Sequence, residues 1–380
     1  AGRLRVAAWR EPGRRGHAGH SLAAMVAEGD SSDLPPPPAG GRAIVLTSGT
    51  TGAPKGAGRS QPPSLDPAAT LLSRIPLRAR EPTMIAAPLF HMWGFGQFML
   101  GTSLASTVVL RRRFDPEATL SLTARHACTA LVVVPVMLQR ILDLGDEVVR
   151  GYDLRRLRVV AASGSAIPRA VAARWMDVVG ENLYDLYGST EVAWATIATP
   201  DDLRAAPGTV GRPPRGTTVR IYDEAGLAVA PGRSGRVFVG NEMQFDGYTG
   251  GGGRETIDGL VGMGDVGHFD ADGRLFIDGR DDDMIVSGGE NVFPGEVEDL
   301  LAGHEAIAEV AVFGVEDAEF GERLAAVVVR RPGADLDADA VRRYVRRNLA
   351  GYKVPRDVEF AAELPRTATG KVLKRTLREG

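Results

Sequence analysis

The stretch from Thr47 to Gly56, TSGTTGAPKG, concentrates the residues best suited to hold a phosphate. It follows a short apolar run that reads as a strand. Ser48, Thr50 and Thr51 offer hydroxyl donors. Gly49 and Gly52 let backbone N–H groups come close to a ligand, and Lys55 adds positive charge. None of these residues packs a core. A glycine- and hydroxyl-rich turn after a strand is a cradle for an anion. The nucleotide loop G-x-x-x-x-G-K-[ST] is excluded by spacing, because Gly49 and Gly52 are too close and Lys55 is followed by Gly56. Taken alone, the stretch also reads as an ordinary surface loop.

Other candidates stand out by rarity. Of 45 basic residues only four are lysines, Lys55, Lys353, Lys371 and Lys374. In an arginine-dominated chain each marks a place where a compact ammonium could be needed instead of a planar fork. Lys371 closes the loop PRTATGK, which no regular element is expected to hold. His91 lies beside Met92, Trp93 and Phe95. The single cysteine, Cys128, excludes an internal disulfide framework, suits a reducing cytoplasm and reads as a buried structural thiol.

The bulk properties set bounds on these readings. With 380 residues and 44% apolar content, the chain fits one large domain with a small one, or two to three ordinary domains. A net charge of −3 gives no global field toward nucleic acid. The longest apolar run, ALVVVPVML over 130–138, is too short to span a bilayer, and the first residues carry no signal-peptide pattern. Peripheral contact with a membrane and the oligomeric state are left open.

The elements that must position the candidates follow from periodicity. Residues 1–43 read as a linker or tail, with one short helical stretch near HSLAAMVAEG. From 44 to 281 a large domain is expected. In its first part, apolar strands near 44–47, 83–88, 107–112, 130–134 and 157–162 alternate with helices near 64–75, 116–126, 137–144 and 168–180. That alternation predicts a mostly parallel sheet covered on both faces. Residues 208–280 turn to short strands between glycine-rich turns, a β-rich subdomain. Residues 282–380 read as a small mobile α+β domain ending in a basic helix. The fold class is therefore α/β, layered and in two parts.

Several motifs, in order, make this sequence resemble the adenylate-forming superfamily of acyl-CoA synthetases, luciferases and adenylation domains. They are TSGTTGAPKG, PLFHMWGF (88–95), ASGSAIP (162–168), LYGSTE (186–191), GDVGHFDADGRLFIDGRDDDMIVSGGENVFPGEVE (264–298) and PRTATGK (365–371). The tract RRRFDPEATL and the GYTGGGGRETIDGL segment look most like actinobacterial fatty-acyl-CoA synthetases. The resemblance implies a longer segment ahead of the phosphate loop than this chain carries. It also has one departure, Met263 where a hydroxyl residue is usual.

The resemblance also implies roles. Thr47, Ser48, Thr50 and Thr51 would donate to the β- and γ-phosphates of ATP, with Gly49, Gly52 and Lys55 completing the cradle. Gly164, Ser165 and Ala166 would form the adenine-side turn. Tyr187, followed by Gly188, would stack on adenine. Thr190 would donate to phosphate and Glu191 would hold Mg²⁺. Asp265 would accept the ribose hydroxyls, with Arg280 beside it. His91 would gate an acyl pocket that includes Trp93, Phe95 and the strand at 130–136, with Gly94 setting its depth. Asp282 would be the hinge, and Gly288 and Gly289 would border the channel for coenzyme A. Lys371 would bridge the carboxylate and the α-phosphate. Segment 88–100 contains no Asp or Glu, so it lacks the carboxylate that an amino-acid substrate would need for its ammonium. The expected activity is ATP-dependent ligation of a fatty or other uncharged acid to coenzyme A through acyl-AMP. The alternative is a truncated, non-catalytic fragment that binds nucleotide or acyl-adenylate.

Overall fold

A computed structural model describes residues 6–7, 20–29, 43–47, 55–60, 64–287, 290–317, 321–367 and 370–379. The chain divides into two units, Ala1–Gly41 and Arg42–Gly380. In the first, strands β1 (Val6–Ala7) and β2 (His20–Ser21) pair in parallel, and helix α1 (Leu22–Glu28) follows. The short helix lies where the sequence suggests one.

The second unit opens with the antiparallel hairpin β3 (Ala43–Thr47) and β4 (Lys55–Arg59). The anion-cradle turn joins these strands. Ser48, Gly49, Thr50, Thr51 and Gly52 lie outside the described residues, as do Gly288 and Gly289. Of Thr47, Lys55 and Asp282 only the backbone is described.

A six-stranded sheet forms the centre of the unit. Helix α2 (Asp66–Arg74), β5 (Thr83–Ile85), helix α3 (Met92–Ser103), β6 (Val108–Leu110) and helix α4 (Pro116–Arg125) come first. They are followed by β7 (Ala130–Val133), helices α5 (Pro135–Leu142) and α6 (Asp146–Arg150), β8 (Val159–Ser163), helix α7 (Arg169–Val178), β9 (Leu183–Tyr187), β10 (Thr196–Ala198) and helix α8 (Pro200–Ala205). The strand order is β10-β9-β8-β7-β5-β6, parallel except for β10. Strands β7 and β8 are buried along their whole length. That is why they read as unbroken apolar runs: helices cover both faces of a parallel sheet. Helix α4 starts cleanly because Asp115 accepts from the Ala118 N–H and Pro116 occupies the first turn. Helix α8 starts with a capping box between Thr199 and Asp202.

Helix α3 is missing from the expectation. Its sequence, MWGFGQFMLGTS, is apolar on nearly every side, so no helical stripe stands out. It also gives Gly94 a packing role. A Cβ on Gly94 would sit 2.4 Å from the Pro88 carbonyl oxygen, so the glycine lets α3 lie against residues 87–88. Gly94 therefore sets how closely the helix packs on residues 87–88.

The β-rich part contains β11 (Thr218–Tyr222), β12 (Gly235–Gly240), β13 (Gly247–Tyr248), β14 (Thr256–Ile257), β15 (Leu260–Phe269) and β16 (Leu275–Arg280). The sheet runs β11-β12-β15-β14 with β16 on β15, all antiparallel, and β13 instead joins β4 of the hairpin. A single 3₁₀ turn, Asp281–Asp283, leads out of β16 into the final sheet. That sheet holds β17 (Ile285–Ser287), β18 (Glu290–Val292), β19 (Ile307–Asp317), β20 (Gly321–Arg330) and β21 (Asp357–Ala361). Helices α9 (Pro294–Ala302), α10 (Ala338–Asn348) and α11 (Lys374–Glu379) accompany it. Helix α10 buries Val341 and Val345 and turns its arginines outward, as its spacing predicts. A separate core of Ile285, Val297, Leu301, Val312, Leu324 and Val328 lies within this last segment. No described helix is long and apolar enough to cross a membrane.

Candidate active site

Parallel strands end at one edge, and the crevice outside their carboxyl ends is where such sheets bind ligands. At that edge lie residues 134–136 after β7, 164–166 after β8 and 187–191 after β9. Gly164, Ser165 and Ala166 are exposed there, and Gly164 takes φ +107°, a left-handed turn that favours glycine. Gly188 has a different reason: a Cβ would sit 2.3 Å from the Ala193 carbonyl oxygen, so only glycine lets the 188–194 turn close.

Two carboxylates anchor the two ends of the crevice. Asp265 on β15 faces Arg280 on β16 as a direct cross-strand pair. The Tyr187 hydroxyl donates to Asp265 Oδ2 at 2.5 Å, and Arg280 donates to Oδ1 at 3.1 Å. Burial outweighs both partners and pushes the Asp265 carboxyl above its usual value. Each oxygen keeps a lone pair for a further donor. The reading of Tyr187 as a ring that only stacks on adenine is thus incomplete, because its hydroxyl already serves Asp265.

Glu191 is 5% exposed. Tyr248 on β13 donates to its Oε1 at 2.6 Å, and Arg254 Nε to the same oxygen at 3.3 Å. Burial pushes this carboxyl up, but Tyr248, Arg254 and Ser189 outweigh it and hold Glu191 below the usual range. Among the described residues, no group of three or more His, Cys, Asp or Glu can hold a metal by itself. Mg²⁺ does not need such a group, since it is held by one or two carboxylates together with phosphates and water. Glu191 fits that need as a buried carboxylate at the crevice, with Tyr248 and Arg254 both bonded to Oε1.

The C-terminal loop reaches the same crevice. Gly370 takes φ +87°, and a Cβ there would sit 2.6 Å from Val136 Cγ1, so the loop lies against the turn after β7. Lys371 makes no ion pair among the described residues, whereas Lys353 pairs with Glu296 at 2.5 Å and Lys374 with Glu298 at 2.8 Å. The residue retains solvent exposure, yet partial burial of the ammonium and the neighbouring Arg280 guanidinium lower its pKa, opposed by Asp265 and Glu191. His91, which caps α3, is held below its ordinary value by burial and by the Lys371 charge, so its ring is neutral at neutral pH. His91, Asp265, Arg280, Glu191 and Lys371 thus meet in one electrostatic neighbourhood. The Arg169–Asp299 pair at 2.8 Å and the Arg331–Asp143 pair at 3.4 Å also join the last segment to the large sheet.

Near His91 the expected pocket is only partly built. The Trp93 indole donates to the Val133 carbonyl at 2.9 Å and packs on the sheet core, but Phe95 is 40% exposed. Cys128 is buried, and its thiol is pushed up to about 11, so it is inert as a nucleophile.

Four residues of this region escape the sequence reading: Arg59, Asp185, Tyr248 and Arg254. Asp185, two positions before Tyr187, is 5% exposed, and burial pushes its carboxyl up to about 7. It lines a cavity of about 160 Å³ with Ala166, Ile167, Gly208 and Thr209. A polar residue inside the otherwise apolar strand LYDLY was the available signal.

The AMP-binding enzyme family model matches residues 14–249, and the model of that family's C-terminal domain matches 296–371. A feruloyl-CoA synthase from Amycolatopsis is 37% identical over 372 residues, covering 95% of this chain and 75% of that protein. A long-chain-fatty-acid–CoA ligase from Bacillus subtilis is 34% identical over 345 residues, covering 88% and 61%. The crystal structure of ATP-bound MatB from Rhodopseudomonas palustris superposes with a TM-score of 0.80 at 32% identity, covering 88% of this chain and 67% of that one. The chain belongs to the AMP-binding enzyme family, the adenylate-forming enzymes. Within that family it falls among the acid–thiol ligases that form acyl-CoA.

Proposed function

We propose that the chain activates an uncharged carboxylic acid with ATP, forms acyl-AMP and pyrophosphate, and passes the acyl group to coenzyme A. The observation that carries this reading is the convergence of Lys371 with Asp265, Arg280, Glu191 and His91, drawn from four separate stretches of chain. In the first step an acid oxygen attacks the α-phosphorus, and pyrophosphate leaves with the bonding pair. Negative charge moves across the crevice as this happens. The Lys371 ammonium stabilises that shared charge better than the separate reactants. Asp265 and Arg280 would hold the ribose, and the 188–191 turn with the anion-cradle loop would hold the triphosphate. The Asp185 carboxyl would accept the exocyclic amine of adenine, since it opens onto the same cavity as Ala166. Mg²⁺ on Glu191 would supply charge neutralisation at the phosphates. A neutral His91 beside the acid would add no charge to the acyl end. Coenzyme A would enter once the last segment pivots at Asp281–Asp283, near Gly288 and Gly289.

The acid itself is proposed as apolar. A fatty chain fits the absence of carboxylates in 88–100, and so does an aromatic acid. Pyrophosphate release measured with alkyl, aryl and amino acids tests the reading. Turnover with alkyl or aryl acids and coenzyme A is expected. A preference for amino acids would reject the acyl assignment, and no release with any acid would favour a nucleotide-binding fragment.

A further inference from the structure

Arg59 ends β4, twelve positions beyond Thr47, and is 7% exposed. Its Nη2 donates to the Thr190 carbonyl at 2.8 Å, while its Nε and Nη1 are buried with no hydrogen-bond partner among the described residues. Burial lowers its pKa, opposed by the charges of Asp246 and Glu191. A buried guanidinium is costly unless it is paired and fully bonded. Four other described arginines, Arg74, Arg236, Arg274 and Arg366, leave only Nε buried and unbonded, and each meets a carboxylate, Arg74 reaching Asp202 at 3.1 Å. Arg59 leaves two nitrogens unbonded and makes no ion pair among the described residues, and such local violations gather at functional sites.

Its surroundings say what it acts on. Arg59 lies beneath the peptide that joins Thr190 to Glu191. The strand carrying Tyr248, which holds Glu191 from the other side, pairs with β4 through Gly58 and Ala57. Asp246, next to that strand, donates its N–H to the Gly58 carbonyl and accepts from the Ser60 hydroxyl at 2.9 Å. The cation therefore feels the charges of two carboxylates and is hydrogen-bonded to the backbone of the turn that carries the expected phosphate and metal residues.

We propose that Arg59 is a positioning residue: it fixes the Thr190–Glu191 peptide so that the Thr190 hydroxyl and the Glu191 carboxylate face the triphosphate together. It touches neither nucleotide nor acid. The inference rests on the functional reading above, but its first test does not. Amide hydrogen exchange in the 188–192 turn should rise about tenfold or more in Arg59→Met, with exchange in α7 unchanged. The kcat of adenylation should fall about 10- to 100-fold, the range seen when a supporting partner of a metal ligand is lost. KM for the acid and affinity for ATP without Mg²⁺ should stay within about twofold. Arg59→Lys keeps a charge and a donor and should recover part of both losses. Exchange and kcat equal to the parent, with only a lower Tm, would make Arg59 merely structural and overturn the proposal. If the Met variant fails to fold, Arg59→Gln, which removes the charge, decides: exchange and kcat equal to the parent would overturn the proposal. If the parent protein releases no pyrophosphate, the functional reading fails, while the exchange result still decides whether Arg59 holds the turn.

Discussion

The two ends of the crevice handle a buried carboxylate in opposite ways. Asp265 belongs to a regular strand, and its cation partner, Arg280, stands opposite on the next strand. Burial still wins, and the carboxyl is pushed up. Glu191 belongs to an irregular turn, and its partners come from Ser189 of that turn, from the short strand β13 and from the segment at Arg254. There the partners win, and the carboxyl is held down. The first end would suit hydrogen bonds from neutral hydroxyls. The second would offer a negative charge to a cation. The position of a carboxylate in the fold, and not its residue type, decides which task it can do.

Glu191→Gln should give the largest separation between the ends. Removing the charge should lower adenylation by about 10²-fold or more, the scale of one lost electrostatic contact in a transition state. Binding of ATP without Mg²⁺ should hold or tighten, because repulsion of the triphosphate is relieved and Arg254 is released. Calorimetry with and without Mg²⁺ checks this. Weaker metal-free binding would show that Glu191 holds the nucleotide directly.

Asp265→Asn should act at the other end and in the other manner. Loss of a charge-assisted acceptor costs about 1.5–3 kcal/mol, so AMP affinity should drop roughly 10- to 100-fold. The loss should be the same with and without Mg²⁺. A loss that depended on Mg²⁺ would merge the two ends into one site and break the comparison.

Asp185→Asn should have the smallest effect on chemistry and a clear effect on stability. The Asp185 carboxyl titrates near 7 in the folded chain and near 3.8 when unfolded. Between those values the unfolded chain is ionised while the folded chain still holds its proton, so stability falls as pH rises through that window and then levels off. The full cost is on the order of 4 kcal/mol by linkage. Asn keeps the shape without the charge. Chemical denaturation at pH 8 should therefore find the variant more stable than the parent, with the difference gone near pH 4. Equal stability at both pH values would mean that Asp185 is ionised and partnered.

Much of this architecture is legible in the sequence because burial on both faces leaves a plain trace. The runs at 130–133 and 159–163 name themselves as central strands. The Tyr187, Asp265 and Lys371 motifs are equally plain, since each sits in a short, unusual string. Helix α3 is not legible, because an apolar helix with two glycines has no periodic stripe. The packing role of Gly94 is hidden for a related reason: its neighbours in sequence are apolar, but the contact that requires glycine is the backbone of Pro88. Arg59, Tyr248 and Arg254 escape because their meaning depends on Glu191, which lies far from each of them in sequence. In a chain rich in arginine, one buried guanidinium looks like any other until the fold shows what surrounds it.

The central claim is that Lys371 belongs to the crevice during adenylation and not during thioester formation. Lys371→Ala, assayed on the two half-reactions separately, tests it most directly. Acyl-AMP formation should fall about 10²- to 10³-fold, while thioester formation from supplied acyl-AMP and coenzyme A should stay near the parent rate. Equal losses in both halves, or no loss in the first, would contradict the account.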